Sequence, residues 1–448
     1  MNDRVNDRRE IFGWVAYDWA NSAYVTTVGT VLLGPYVTAL AQGAVGENGV
    51  VTSLGPLGAV TAKSFYPYCV SLSVFLQVFL LPVLGAIADY THYKKRLLAV
   101  FTAIGATTTC LLFFVTQPVF WLGGLLFIVA NLSFGGAVVL YNAYLNDVAS
   151  EDQRDKISSR GFAWGYLGGG LLLALNLALV TAAGPLGIGK GLAVRLSLLS
   201  AGLWWGSFSL ITFQRLRVRH PTRQLSLGTS WLTAGFRELG AAGRVLGALP
   251  HTLRYLIAYL LYNDGIQTVI AMASVFLAQE LFVAKGLAAN ESFLIELILM
   301  VQFVAFFGAL AFERIAAASS TKWAILLSLV LWSAVVIYAY GALETTAQAW
   351  GLGAAIAVVL GGSQALSRSL FSRMIPAGHE ATFFGIYEIS ERGTSWIGPL
   401  IFGLVVGATN SYRDAILSII FLFIAGMSVL AVTDVQRAMR EAGQRVAA

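Results

Sequence analysis

Long apolar runs separated by short polar turns repeat along the whole chain. Twelve of them approach the roughly 20 residues that a helix needs to cross a bilayer. They cover about 12–41, 65–88, 97–115, 119–142, 161–183, 192–213, 252–278, 292–312, 322–343, 347–367, 382–407 and 413–433. The pattern predicts an all-α polytopic membrane protein with twelve transmembrane helices. Pro35, Pro82 and Pro399 fall inside runs, where proline kinks a helix. The longest polar connection, 214–251, separates six runs from six and holds Pro221 and Pro250. The expected organisation is an N-terminal six-helix bundle over 1–213, a cytoplasmic linker over 214–251 and a C-terminal six-helix bundle over 252–448. Trp231, Leu232, Phe236, Leu239 and Leu246 suit a surface-lying amphipathic helix within the linker. A plain solvated linker is the alternative.

Polar residues inside the runs break the pattern and mark candidate chemistry. In the first run, Trp14, Asp18, Asn21 and Ser22 share one helical face at about 100° per residue. A carboxylate facing lipid costs about 2.5–3.5 kcal/mol at the bilayer centre. This face should therefore look into protein or a water-filled cavity. Either it lines a transport path, or it only pins helix packing. Further polar positions are Asn131 and Asn142; Asn263, Asp264 and Gln267; Ser363 and Gln364; and Tyr387, Glu388, Glu391 and Arg392. Glu388 and Arg392, at i,i+4 spacing, can neutralise each other. Arg392 is the base expected in mid-membrane, so Asp18 is expected to lack a permanent cation. Gly161, Gly165 and Gly169 form a small-residue stripe suited to close helix packing, and Gly403 with Gly407 makes a weaker copy.

Composition agrees with the runs. The chain of 448 residues is 57% hydrophobic and 12% charged, against about 25% charged in a soluble domain. Its charge is also unevenly placed. With the N-terminus inside, 23 of the 29 Lys and Arg fall in inside segments and 5 in outside ones, with Arg392 within a run. This bias puts both termini in the cytoplasm. The polar segment 1–10 lacks the apolar core of a signal peptide. Cys69 and Cys110 both sit in apolar runs, which supports neither a disulfide framework nor metal ligation.

Enzyme motifs fail on inspection. The segment Gly184 to Lys190 approaches a phosphate-binding loop, but Gly191 replaces the required Ser or Thr. His379-Glu380 lacks a second His four residues on. The four histidines lie in cytoplasmic segments, so proton coupling must use carboxylates. No cofactor, metal or nucleic-acid partner is expected.

The halves read as a tandem repeat. Tyr17-Asp18 corresponds to Tyr262-Asn263-Asp264, and Gly85-Ala-Ile-Ala-Asp89 to Gly308-Ala-Leu-Ala-Phe-Glu313. Parallel repeats of this kind describe the halves of major facilitator transporters. The loop from Gly85 through Asp89 to Lys94, Lys95 and Arg96 resembles the signature between helices two and three of that superfamily, with His92 where Gly is usual. Its acid is expected to face a neighbouring helix N-terminus, and its basic run to pair with acids such as Asp147. A charged turn obeying the positive-inside rule is the plainer alternative.

A narrower resemblance rests on Tyr17-Asp-Trp-Ala-Asn-Ser-Ala-Tyr24, Tyr141-Asn-Ala-Tyr-Leu-Asn-Asp147, Ser159 to Gly170, Tyr262-Asn-Asp-Gly-Ile-Gln-Thr268, Gly362 to Arg368, and Phe384-Gly-Ile-Tyr387 with Gly398-Pro399. These stretches look like the vacuole-effluxer-like family, whose bacterial branch is often called the unknown major facilitator family. Asn146 stands where that family's pattern has Pro. The resemblance implies the major facilitator fold and secondary transport, and fungal relatives suggest amino-acid export. Short loops favour a bacterial protein of the plasma membrane.

The expected function is alternating-access transport of a small polar solute across a lipid bilayer, with proton coupling left open. A non-transporting receptor or assembly factor on the same fold is the second reading. The candidates for substrate contact or coupling are Tyr17, Asp18, Asn21, Tyr141, Asn142, Asn263, Asp264, Gln267, Gln364, Glu388 and Arg392. Those for gating are Gly85, Asp89, Lys94, Lys95, Arg96 and Asp147, and those for helix packing Gly161, Gly165 and Gly169.

Overall fold

The computed structural model describes residues 5–46, 49–53, 59–219, 243–287, 291–392 and 397–444. Six helices precede the connection at 220–242: α1 (Arg8–Val45), α2 (Phe65–Tyr90), α3 (Lys94–Phe114), α4 (Gln117–Val148), α5 (Glu151–Thr181) and α6 (Lys190–Arg215). After it come α7 (Pro250–Lys285), α8 (Glu291–Ala318), α9 (Thr321–Gly341), α10 (Thr346–Ser372), α11 (Glu380–Arg392), α12 (Ile397–Thr409), α13 (Tyr412–Ala431) and α14 (Val435–Gln444). Among the described residues, eleven helices are long and apolar enough to cross a membrane. The eleventh expected run, 382–407, is described as α11 and α12. An antiparallel hairpin of β1 (Val50–Ser53) and β2 (Ala59–Thr61) joins α1 to α2. The expected amphipathic segment at Trp231, Leu232, Phe236 and Leu239 lies outside the described residues.

Local sequence explains the irregular places. Tyr24–Leu32 of α1 is a nine-residue π-helical stretch. Threonine hydroxyls compete for its carbonyls: Thr26 donates to Ser22 O at 3.0 Å, and Thr30 to Val25 O at 2.9 Å. Such bonds loosen an α-helical turn. Pro35 lies just beyond, in the first turn after α geometry resumes at Leu33. Pro399 falls in the first turn of α12, where no intrahelical N–H is needed. His92 is accommodated without left-handed backbone: among the described non-glycine residues, positive φ occurs only at Asn6 and Asn410. The loop therefore turns without the glycine usual in the superfamily signature.

Contacts between the two halves run along α5 with α8 and α10, and along α2 with α11. Glycines permit them. A Cβ on Gly85 would lie 2.8 Å from Thr382 Cα, and one on Gly385 2.9 Å from Leu81 O. Both contacts lie toward the end of the helices that carries Lys94, Arg154, Arg217 and Arg373, hereafter the basic end. There the chain leaving α6 folds back onto α1. Arg217 pairs with Asp7, and Arg219 pairs with buried Glu10 at 2.9 Å.

Candidate functional site

The polar face of α1 packs inside the protein, against the glycine stripe of α5. A Cβ on Gly161 would meet the Asp18 carboxylate and lie 2.9 Å from the Trp14 ring. One on Gly165 would lie 2.7 Å from Ser22 Oγ, and one on Gly169 2.9 Å from Thr26 Cγ2. This fit brings Trp14, Asp18, Ser22 and Thr26 under the seam. Among the described residues, Gly403 has no neighbour within 4 Å on its open side, so no second seam is seen there.

Above the seam, Arg368 of α10 crosses from the other half. It is 3% exposed. Its Nη2 donates to Asp18 Oδ2 at 3.2 Å and to Ser158 O at 3.0 Å. Its Nε donates to Ser158 Oγ at 2.9 Å, and its Nη1 to Asn142 Oδ1 at 3.3 Å. The guanidinium also sits 4.2 Å from the Phe162 ring centroid and 4.8 Å from that of Trp14, a cation–π arrangement. Tyr141 stacks on Trp14 at 4.5 Å and donates its hydroxyl to Asp18 Oδ2 at 2.7 Å. Asn142 donates to Glu388 Oε1 of α11 at 2.9 Å. One connected polar cluster thus ties α1, α4 and α5 to α10 and α11.

This arrangement corrects the expectation that Asp18 lacks a permanent cation. The expected run ends at 367, which puts the backbone of Arg368 at the inner end of its helix. Its long side chain instead reaches back into the interface. Several fixed donors and aromatic stacking suit Arg to such a buried place.

The other candidates divide. Tyr17 points into its own half, with its hydroxyl 2.7 Å from Thr102 Oγ1. Asn21 and Asn263 are buried and Gln267 is half-buried. Gln364 accepts from Tyr166 of the opposite half at 2.6 Å. Asp264 stands apart from the Arg368 cluster, accepting from Gly398 N of α12 at 2.7 Å. The side chains of Glu391 and Arg392 lie outside the described residues, so the expected Glu388–Arg392 pair does too. A cavity of about 680 Å³ opens at the basic end between Asp155, Thr321, Lys322, Arg373 and Asp434. None of the residues expected to contact solute lines it.

Of the gating candidates, Gly85 and Asp89 meet α11. Asp89 accepts from Ala381 N and Thr382 N, each at 2.8 Å, and from Thr382 Oγ1 at 2.7 Å. A carboxylate at a helix N-terminus is favoured by the helix dipole and by the free N–H groups. Lys94 pairs with Asp147 at 3.0 Å and lies over the Tyr144 ring. Arg96 lies over Tyr93, and Lys95 is half-buried.

A second set of contacts was not among the expected site residues. Arg373 pairs with Asp155 at 2.7 Å, Thr321 donates to Asp155 at 2.6 Å, and both Arg154 and Asn146 donate to Ser372 O. The one signal for it in the sequence was Asn146 in place of Pro, which supplies one of these donors.

Gly161→Ala tests the seam. Overpacking of this kind costs about 1–3 kcal/mol. Thermal unfolding of the purified variant should fall measurably, while Gly403→Ala, facing open space, should leave it unchanged.

The family described as vacuole effluxer Atg22 like matches residues 6–443. An uncharacterised MFS-type transporter of Bacillus subtilis, YxiO, is 30% identical over 420 residues, covering 93% of each chain. Autophagy-related protein 22-1 of Penicillium rubens is 25% identical, over 98% of this chain and 92% of its own. The crystal structure of FucP, a Major Facilitator Superfamily transporter in the outward conformation, superposes with a TM-score of 0.68 at 10% identity, over 95% of this chain and 98% of its own. It shares the fold.

Proposed function

Because the chain belongs to the vacuole effluxer Atg22-like branch of the major facilitator superfamily, we propose that it moves amino acids across the membrane by alternating access. Relatives and fold are those of secondary transporters, not of enzymes. The finer reading concerns cargo and mechanism. One observation carries it: the Asp18–Arg368 pair joins the halves at 3.2 Å in a buried setting.

Opening the basic end must separate these charges. A zwitterion offers each a replacement, its ammonium for Asp18 and its carboxylate for Arg368. Such exchange avoids leaving a buried charge unpaired, which is the costly alternative. The unequal distribution of Lys and Arg supports a cytoplasmic basic end, and the short loops favour a bacterial plasma membrane. The state described here is then closed to the cytoplasm, as in the outward conformation of FucP.

The test is counterflow of labelled amino acids in proteoliposomes, beside a labelled neutral sugar and a dicarboxylate. Amino-acid counterflow without movement of the other two is expected. Folded protein that exchanges none of them, or only the sugar, would end this reading. Saturable amino-acid binding without flux would favour a receptor instead.

A further inference from the structure

Asp264 is 1% exposed on α7, well inside the apolar part of its helix. Its Oδ2 accepts from Gly398 N, but among the described residues its Oδ1 has no hydrogen-bond partner. α12 comes this close because residue 398 is glycine: a Cβ there would run into Thr268 Oγ1 and lie 3.3 Å from Asp264 O.

Among the described residues, no neighbouring element pairs a basic side chain with Asp264. α12 contains no titratable residue. On α13, Arg413 is bound to Glu280, near the far end of α7. On α10, Arg368 is bound to Asp18. On α11, Glu388 accepts from Asn142, Tyr387 stacks on Tyr259, and Glu380 accepts from Gly378 N at the basic end. Glu291, Glu296, Glu313 and Arg314 sit toward the ends of α8, while Arg437, Arg440 and Glu441 belong to α14, which starts beside the basic-end cavity at Val435. Tyr262, on α7 itself, turns its hydroxyl to Ser367.

An ionised carboxylate in this setting carries one unsatisfied oxygen away from water. Buried acids so placed take up a proton, and an intramembrane acid is a functional site by default. We infer that Asp264 is a proton-binding site, separate from the Asp18–Arg368 cluster, at which the transporter exchanges a coupling proton. The proton sits on Oδ1, is taken from water on the side to which the protein is open, and leaves to the opposite side after the halves have moved. Oδ2 keeps its bond from Gly398 N throughout. Among the described residues, no group of three or more His, Cys, Asp or Glu gathers that could hold a metal ion. The coupling role rests on the transport reading, but the protonation does not.

Infrared spectroscopy of the reconstituted protein separates the two, because it needs no solute. At neutral pH the wild type should show a protonated-carboxyl band that shifts in deuterated water. Asp264→Asn should remove it, Asp264→Glu should move it, and Asp18→Asn should leave it in place. A band unaltered by both changes at position 264 would overturn the inference. So would the absence of any such band, as a persistent ion pair of Asp264 with Arg392 would enforce. A second assay reads coupling: wild-type amino-acid accumulation should follow an imposed pH gradient, and accumulation by Asp264→Asn should not. If the band behaves as expected but no amino acid is moved, the transport reading fails and the proton site stands.

Discussion

Arg368→Gln is expected to shift the protein away from the state closed at the basic end. The substitution removes the cation and leaves Asp18 with Tyr141 as its remaining hydrogen-bond donor in the cluster. Breaking a buried pair by removing one partner costs about 3–5 kcal/mol. The Asp18 side chain is 12% exposed, so water can reach it and the lower figure applies. About 3 kcal/mol is roughly a hundredfold in an equilibrium constant. That cost falls on the closed arrangement more than on the fold, because the pair joins two halves that each retain their own packing. Spin labels at exposed Glu151 and Gln436, one on each half, report it. Their separation should broaden toward longer distances in Arg368→Gln. Asp18→Asn with Arg368→Gln should shift it by less than the two single changes summed, since the double variant leaves no lone charge. An unchanged distance distribution in the single variant would mean that the pair does not hold the basic end shut.

Much of this site was legible in the chain, and the illegible part has a physical cause. Asp18, Asn142 and Glu388 stand out because each is polar in an apolar run. The α5 glycines stand out because their spacing keeps one side of a helix small. Such signals are local: one helix, one face, one depth. Which cation meets Asp18 is not local. It depends on how α10 lies against α1 and α5, and on the several ångströms that an arginine side chain adds to its backbone position. Charge counting assigns Arg368 to the surface, because most arginines near helix ends are there. Asp264 shows the same limit from the other side. Repeat symmetry pairs it with Asp18, yet its neighbour is the backbone of Gly398, and nothing in the sequence around position 264 points to that contact.

The loop at Asp89 was the most legible element, and it makes the last prediction. Asp89 lies at the end of α2, and its carboxylate receives three hydrogen bonds from Ala381 and Thr382. Gly85, one helical turn earlier, lets the α11 backbone lie against α2. Asp89→Asn keeps the size but removes the charge, and its amide has one acceptor oxygen where the carboxylate had two. Hydrogen bonds to a charged group contribute about 1.5–3 kcal/mol each, and the dipole interaction about 0.3–2 kcal/mol. Asparagine retains part of this, so a loss of about 2 kcal/mol in the closed state is a fair expectation. None of these partners belongs to the Arg368 cluster. The change should therefore slow the cycle by roughly ten- to thirtyfold, 1.4 kcal/mol being tenfold, with solute affinity changed much less. Initial rates and equilibrium binding measured on the same reconstituted variant distinguish the outcomes. Binding abolished in a folded Asp89→Asn protein would place Asp89 at the solute site and not at the gate. Rates and binding both unchanged would leave the loop a charged turn that follows the positive-inside rule.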